Sequence, residues 1–224
     1  MLRAMLSKEL RETAGIVLLG LLAYAYVVVE HVGWQMPMQF GYRSPIPFVF
    51  DNFAGNFTVV AAAMCLALGL RQTVAESVRG TWLFLLHRPL GRRQVIAAKL
   101  ATGLGLYLLC SPLAILAYGW WAASPGNHAS PFFWAMTLPV WQTYLLMPAL
   151  YLGAFLGGIR PGRWFGTRLL PIAGVGVVLV ILSMIPAWCD VGSGVWCILS
   201  PAASLLLDVG LIVLIVFMAE VRDY

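Results

Sequence analysis

The sequence predicts an all-α, polytopic membrane protein of six transmembrane helices, and three observations carry that prediction. The 224 residues are 61% hydrophobic and 10% charged, with a mean hydropathy of +0.87, whereas soluble domains run near roughly 45–50% apolar and 25% charged. The apolar residues fall into six runs, at about 14–30, 53–71, 94–121, 132–158, 169–187 and 198–218, each long enough for the roughly 20 residues that a helix needs to cross a bilayer. The Lys and Arg residues sit between the runs and fall almost entirely on one side of them. Little chain is left over, so 1–224 reads as a single transmembrane domain.

Residues 1–13 open the chain. Leu2, Met5, Leu6 and Leu10 recur at helical spacing, with Arg3, Lys8, Arg11 and Glu12 mostly on the opposite face. That pattern predicts a short amphipathic helix lying in the inner headgroup layer before the first span. No signal-peptide core or small-residue cleavage site precedes the first apolar run, so that span is expected to stay in the mature protein.

Orientation follows from the basic residues, because basic loops stay cytoplasmic. Arg3, Lys8 and Arg11 precede span one; Arg71, Arg79, Arg88, Arg92, Arg93 and Lys99 flank or fill the segment after span two; Arg160, Arg163 and Arg168 follow span four; Arg222 follows span six. Arg43 alone falls on the other side. Both termini are therefore expected in the cytoplasm. Trp34, Trp120, Trp121, Trp134, Trp188 and Trp196 gather at the opposite ends of the spans, as amphipathic rings do at a headgroup boundary. The outer segment 31–52, with Met36, Pro37, Phe40, Tyr42, Pro45, Pro47 and Phe48, is apolar enough to lie on the membrane or to cap the bundle.

The segment 72–93 is more patterned than a simple connection requires. Val74, Val78, Trp82, Leu85 and Leu86 recur at helical spacing, and Glu76 lies three residues before Arg79, close enough to pair with it. Pro89 and Gly91 then force a turn into span three. The residues thus describe a short amphipathic helix followed by a basic corner.

At these residues the chain resembles the permease subunits of type-2 ATP-binding-cassette exporters. The family carries an interfacial helix with a Lys-Glu-Leu-like core, here Lys8-Glu9-Leu10-Arg11-Glu12. Between spans two and three it carries a Glu, a Gly-Thr pair, a Leu-rich turn, a Pro, a basic pair and a Lys, here Glu76, Gly80-Thr81, Leu83 to Leu86, Pro89, Arg92-Arg93 and Lys99. The resemblance implies that 72–93 is a cytoplasmic coupling helix that docks on a separate ATPase subunit. Glu76, Arg79, Gly80, Thr81, Trp82, Leu85, Leu86, Pro89, Arg92 and Arg93 would then form the coupling element. It further implies that ATP and Mg bind to that partner, that a second permease copy or a related permease completes the pathway, and that the membrane is a bacterial cytoplasmic membrane.

The chain itself lacks the sequence signatures of catalysis. No Gly-x-x-x-x-Gly-Lys-Ser/Thr phosphate loop occurs, so energy is expected from the partner. Neither a His-Glu-x-x-His helix, a Gly-x-Ser-x-Gly elbow nor a Cys-x-x-Cys pair is present, and His31, His87 and His128 are scattered over separate loops. No metal site and no bound cofactor are expected. The net charge of +5 is punctuation between spans rather than a continuous patch, which argues against nucleic acid and for the lipid bilayer as the partner of the basic residues.

Three polar features remain. Cys189 and Cys197 share the short outer loop between spans five and six, where an oxidising compartment allows a disulfide; bridged or free, their role is structural. Asp208 is the acidic residue well inside a span. It reads either as a functional carboxylate facing the bundle interior or as one hydrogen-bonded to neighbouring helices. Function follows as a transport subunit, with a non-transporting scaffold or assembly factor, or an intramembrane enzyme, as the alternatives.

Overall fold

The computed structural model describes residues 2–35, 46–49, 51–79, 91–127, 131–160, 165–188 and 195–221. Six long helices account for nearly all of them: α1 Leu2–Gln35, α2 Phe53–Arg79, α3 Arg92–Ala123, α4 Leu138–Ile159, α5 Phe165–Trp188 and α6 Val195–Val221. A 3-10 turn, Trp134–Thr137, leads into α4. Each helix is long and apolar enough to cross a bilayer, and no strand occurs among the described residues. In hydrocarbon a helix satisfies its own backbone groups, which is why lengthy apolar runs resolve into helices. The chain is a multi-pass membrane protein.

The arrangement is set by α4. Every residue from Leu146 to Ile159 is buried, because α4 packs against α2, α5 and α6. Small residues make these approaches possible. A Cβ on Gly69 of α2 would lie 2.7 Å from the carbonyl oxygen of Tyr151, and one on Gly157 of α4 would lie 2.5 Å from that of Arg168 on α5. Between helices in lipid, such close backbone contact replaces the hydrophobic drive that water supplies elsewhere. The opposite flank is formed by α1, which packs on α3 and α2. The least buried helix is α5, whose Leu169, Leu170, Val177, Val180 and Ile181 face outward.

The interfacial helix expected over 1–13 is not a separate element. Residues 2–35 form one unbroken helix, of which that segment is the first three turns. Its inward face also differs from the apolar stripe read from the sequence. Met5, Glu9 and Thr13 are buried while Leu10 is exposed, since Met5 packs on Val95 and Ala98 of α3 and brings Glu9 inward one turn later. Likewise, residues 72–79 of the patterned segment continue α2 to Arg79.

At the end where α1 and α3 finish and α2 begins, aromatic rings close the bundle. Phe53 stacks on Tyr118 at 4.6 Å, Phe48 lies 4.8 Å from Tyr118, and His31 meets Phe53 and Tyr118 edge-on. Phe48 belongs to the turn at 46–49 and holds a φ of 65°. That left-handed backbone costs a β-carbon residue about 1–2 kcal/mol, and the burial of its ring among Phe53, Tyr118 and Phe132 offsets the strain. Of the two readings of the outer segment, this described part caps the bundle. Trp120 and Trp134 are exposed at this same end, in keeping with an interfacial aromatic belt.

Candidate functional site

The most concentrated polar chemistry lies at the other end, where α1 and α3 begin and α2 finishes. Lys99 of α3 is fully buried. Its ammonium group lies 2.7 Å from Oε1 of Glu9 on α1 and 2.9 Å from Oε1 of Glu76 on α2, and donates to the carbonyl oxygen of Gln72 at 3.2 Å. Glu9 and Glu76 are themselves 1% and 4% exposed, so all three charges are withdrawn from water. Lys8 reaches Glu76 from the surface at 3.1 Å and also approaches Glu12 at 3.6 Å. Two ammonium groups and two buried carboxylates compensate one another, the condition under which charge persists in a low-dielectric interior.

Neutral groups extend the cluster into the bundle. The Gln72 amide donates from Nε2 to the Lys99 carbonyl at 3.1 Å, while its Oε1 accepts from the Tyr151 hydroxyl of α4 at 2.6 Å. Gln72 and Lys99 thus exchange hydrogen bonds in both directions, side chain to main chain. Four helices meet here, α1, α2, α3 and α4, through residues as far apart in sequence as Glu9 and Tyr151. Helical spacing explains the local alignment: Gln72 and Glu76 lie one turn apart on α2, and Glu9 and Thr13 one turn apart on α1. The Thr13 hydroxyl donates to the Glu9 carbonyl at 2.8 Å.

Of the residues singled out by sequence, Lys8, Glu9, Glu76 and Lys99 come together. Glu76, placed by spacing to pair with Arg79, is engaged by Lys8 and Lys99. The side chain of Arg79 lies outside the described residues, as do Gly80, Thr81, Trp82, Leu85, Leu86 and Pro89. Arg11 is exposed. Arg92 and Arg93 open α3 at the surface, and Arg93 pairs with Glu220 near the end of α6. The start of α1, the end of α2, the start of α3 and the end of α6 therefore share one end of the bundle.

The remaining candidates are dispersed. Asp208 is buried midway along α6, and its Oδ1 has no hydrogen-bond partner among the described residues. One turn earlier, Ser204 donates to the Leu145 carbonyl of α4 at 3.2 Å. The pairing of Cys189 with Cys197 lies outside the described side chains. Among the described residues, no three His, Cys, Asp or Glu residues approach closely enough to hold a metal ion.

Sequence reasoning did not find Gln72 or Tyr151, nor the burial of Glu9. One signal was present: acidic and basic residues near the margins of separate apolar runs, where a lone charge is costly and a partner from another helix is the economical solution. Compared with protein-family models, with curated proteins and with solved structures, the chain matches none of them.

Proposed function

We propose that the chain is the membrane-spanning permease subunit of an ATP-binding-cassette exporter, working with a second permease copy or a related permease and driven by a separate cytoplasmic ATPase subunit. In this reading the Lys99 end faces the cytoplasm of a bacterial cell, and both termini lie there. ATP and Mg belong to the partner. Residues 72–93, with Trp82, Leu85 and Leu86 as the apolar anchor, form the coupling element.

One observation supports the reading above the others. The residues that carry the family resemblance, Lys8 and Glu9 from the first helix, Glu76 from the second and Lys99 from the third, converge on one buried charge cluster. A segment that receives force from an ATPase needs rigid purchase on several helices, and this cluster joins both flanks of residues 80–90 to α1 and α4. The basic residues Arg92 and Arg93 at the same end agree with a cytoplasmic placement.

The test is co-purification in mild detergent with the ATPase subunit that the proposal expects from a neighbouring gene. Wild type is compared with the variant Trp82→Glu, Leu85→Glu. The proposal expects the wild type to retain the ATPase and the variant, still inserted and folded, to lose it. An ATPase retained equally by both removes the coupling role of 72–93. If the wild type retains none, the chain is better read as a scaffold or assembly factor.

A further inference from the structure

Pro112 lies inside α3 and Pro148 inside α4. Proline has no N–H, so each deprives the carbonyl four residues earlier of its helical donor. The deprived carbonyls belong to Leu108 in α3 and Tyr144 in α4. No water is at hand in hydrocarbon to satisfy them, so a neighbouring side chain must. Each is satisfied by a tyrosine of the other helix. The Tyr144 hydroxyl donates to the Leu108 carbonyl at 3.1 Å, and the Tyr107 hydroxyl donates to the Tyr144 carbonyl at 3.0 Å.

The exchange is reciprocal at the level of single residues. Tyr144 both gives a hydroxyl to the gap in α3 and owns the carbonyl that Pro148 leaves bare. Tyr107 neighbours Leu108, the bare carbonyl of its own helix, and serves the other one. The two rings stack with centroids 5.7 Å apart and an interplanar angle of 21°. A third helix braces the same spot, since the Tyr24 hydroxyl of α1 donates at 2.9 Å to Ser111, the residue before Pro112.

We propose that Tyr107 and Tyr144 form a reciprocal clasp that ties the proline-weakened points of α3 and α4 to one another, so that neither helix bends there without the other. The reason is shared parts. A bend at Pro112 that carries the Leu108 carbonyl away breaks its bond to Tyr144, frees the Tyr144 ring from the stack and so loosens the seat of Tyr107. The second bond then has less to hold it. A bend at Pro148 acts in reverse through the Tyr144 backbone. Lys99 precedes Tyr107 by eight residues, about 12 Å along α3, so a shift at the start of α3 meets the clasp before it reaches the far end. The clasp concerns this chain's own helices and stands whether or not an ATPase binds.

The test uses the full chain in detergent and a crossed set of variants. Pro112→Ala returns an N–H to the Leu108 carbonyl and makes the Tyr144 hydroxyl redundant; Pro148→Ala does the same for Tyr107. Tyr144→Phe should therefore lower the midpoint of SDS unfolding in wild type and lose most of that effect beside Pro112→Ala. Tyr107→Phe should lose the part of its effect that comes from the Tyr144 carbonyl beside Pro148→Ala, keeping only what its hydroxyl owes to Ser111, and should keep all of it beside Pro112→Ala. Equal effects in all backgrounds would show that the hydroxyls act independently of the proline gaps and overturn the clasp. Hydrogen exchange supplies a readout that does not need the alanine variants to fold. Tyr144→Phe should speed exchange over both 106–113 and 142–149, although its hydroxyl bonds across to the Leu108 carbonyl of α3. Faster exchange confined to 106–113 would refute the coupling.

Discussion

The two ends of the bundle are closed by different physics. At the Lys99 end, Glu9, Glu76 and Lys99 are withdrawn from solvent and held by short, directional contacts of 2.7 and 2.9 Å. At the Tyr118 end, the rings of Phe48, Phe53 and Tyr118 pack with centroids 4.6 to 5.1 Å apart, and the Tyr118 hydroxyl donates to Asp51 at 2.6 Å. Dispersion between rings degrades gradually as they shift, since each atom pair contributes only about 0.1–0.2 kcal/mol. A buried ion cluster does not degrade gradually, because removing one partner strands the others. The first end is built to hold a fixed geometry and the second to tolerate adjustment.

The largest expected effect tests the rigid end. Lys99→Met keeps most of the volume but leaves Glu9 and Glu76 without their shared ammonium, and should destabilise the protein by about 3–5 kcal/mol. Adding Glu9→Gln and Glu76→Gln removes the stranded charges and should recover most of the loss. Unfolding in SDS would measure both, and a triple variant no better than Lys99→Met would mean that Lys99 acts through packing alone. Tyr118→Phe comes next, costing about 2 kcal/mol for one bond to a carboxylate. Phe53→Leu should cost only about 1 kcal/mol, because neighbouring rings close over a swap of similar size. Should thermal unfolding rank Phe53→Leu level with Lys99→Met, the contrast between the ends fails. Smallest is Arg93→Gln. Its pair with Glu220 is largely exposed, so the loss should stay within about 1 kcal/mol and vanish in high salt.

The first helix and the proline-bearing third and fourth helices show where sequence reading stops. The charges of residues 3–12 suggested a helix lying flat on the membrane, yet no proline precedes Pro37 to break α1, and the helix runs on. Nothing local marks Glu9 as buried; Lys99 of α3 beside it does. Pro112 and Pro148 stand in the sequence as interruptions of apolar runs, and that something must satisfy the carbonyls they leave bare is general. Which tyrosine serves which helix depends on a pairing between residues 36 or 37 positions apart, and no local periodicity encodes it.

What the sequence by itself determined is the number of spans, their helical nature and the gathering of basic residues in alternate connections. Lipid imposes those through length and apolarity alone, and both are properties of contiguous segments. Only the tertiary structure decided which charges are buried, which helix forms the centre and how the prolines are compensated. Those depend on which faces meet across distant segments, where a carboxylate or a carbonyl is costly alone and stable beside its partner.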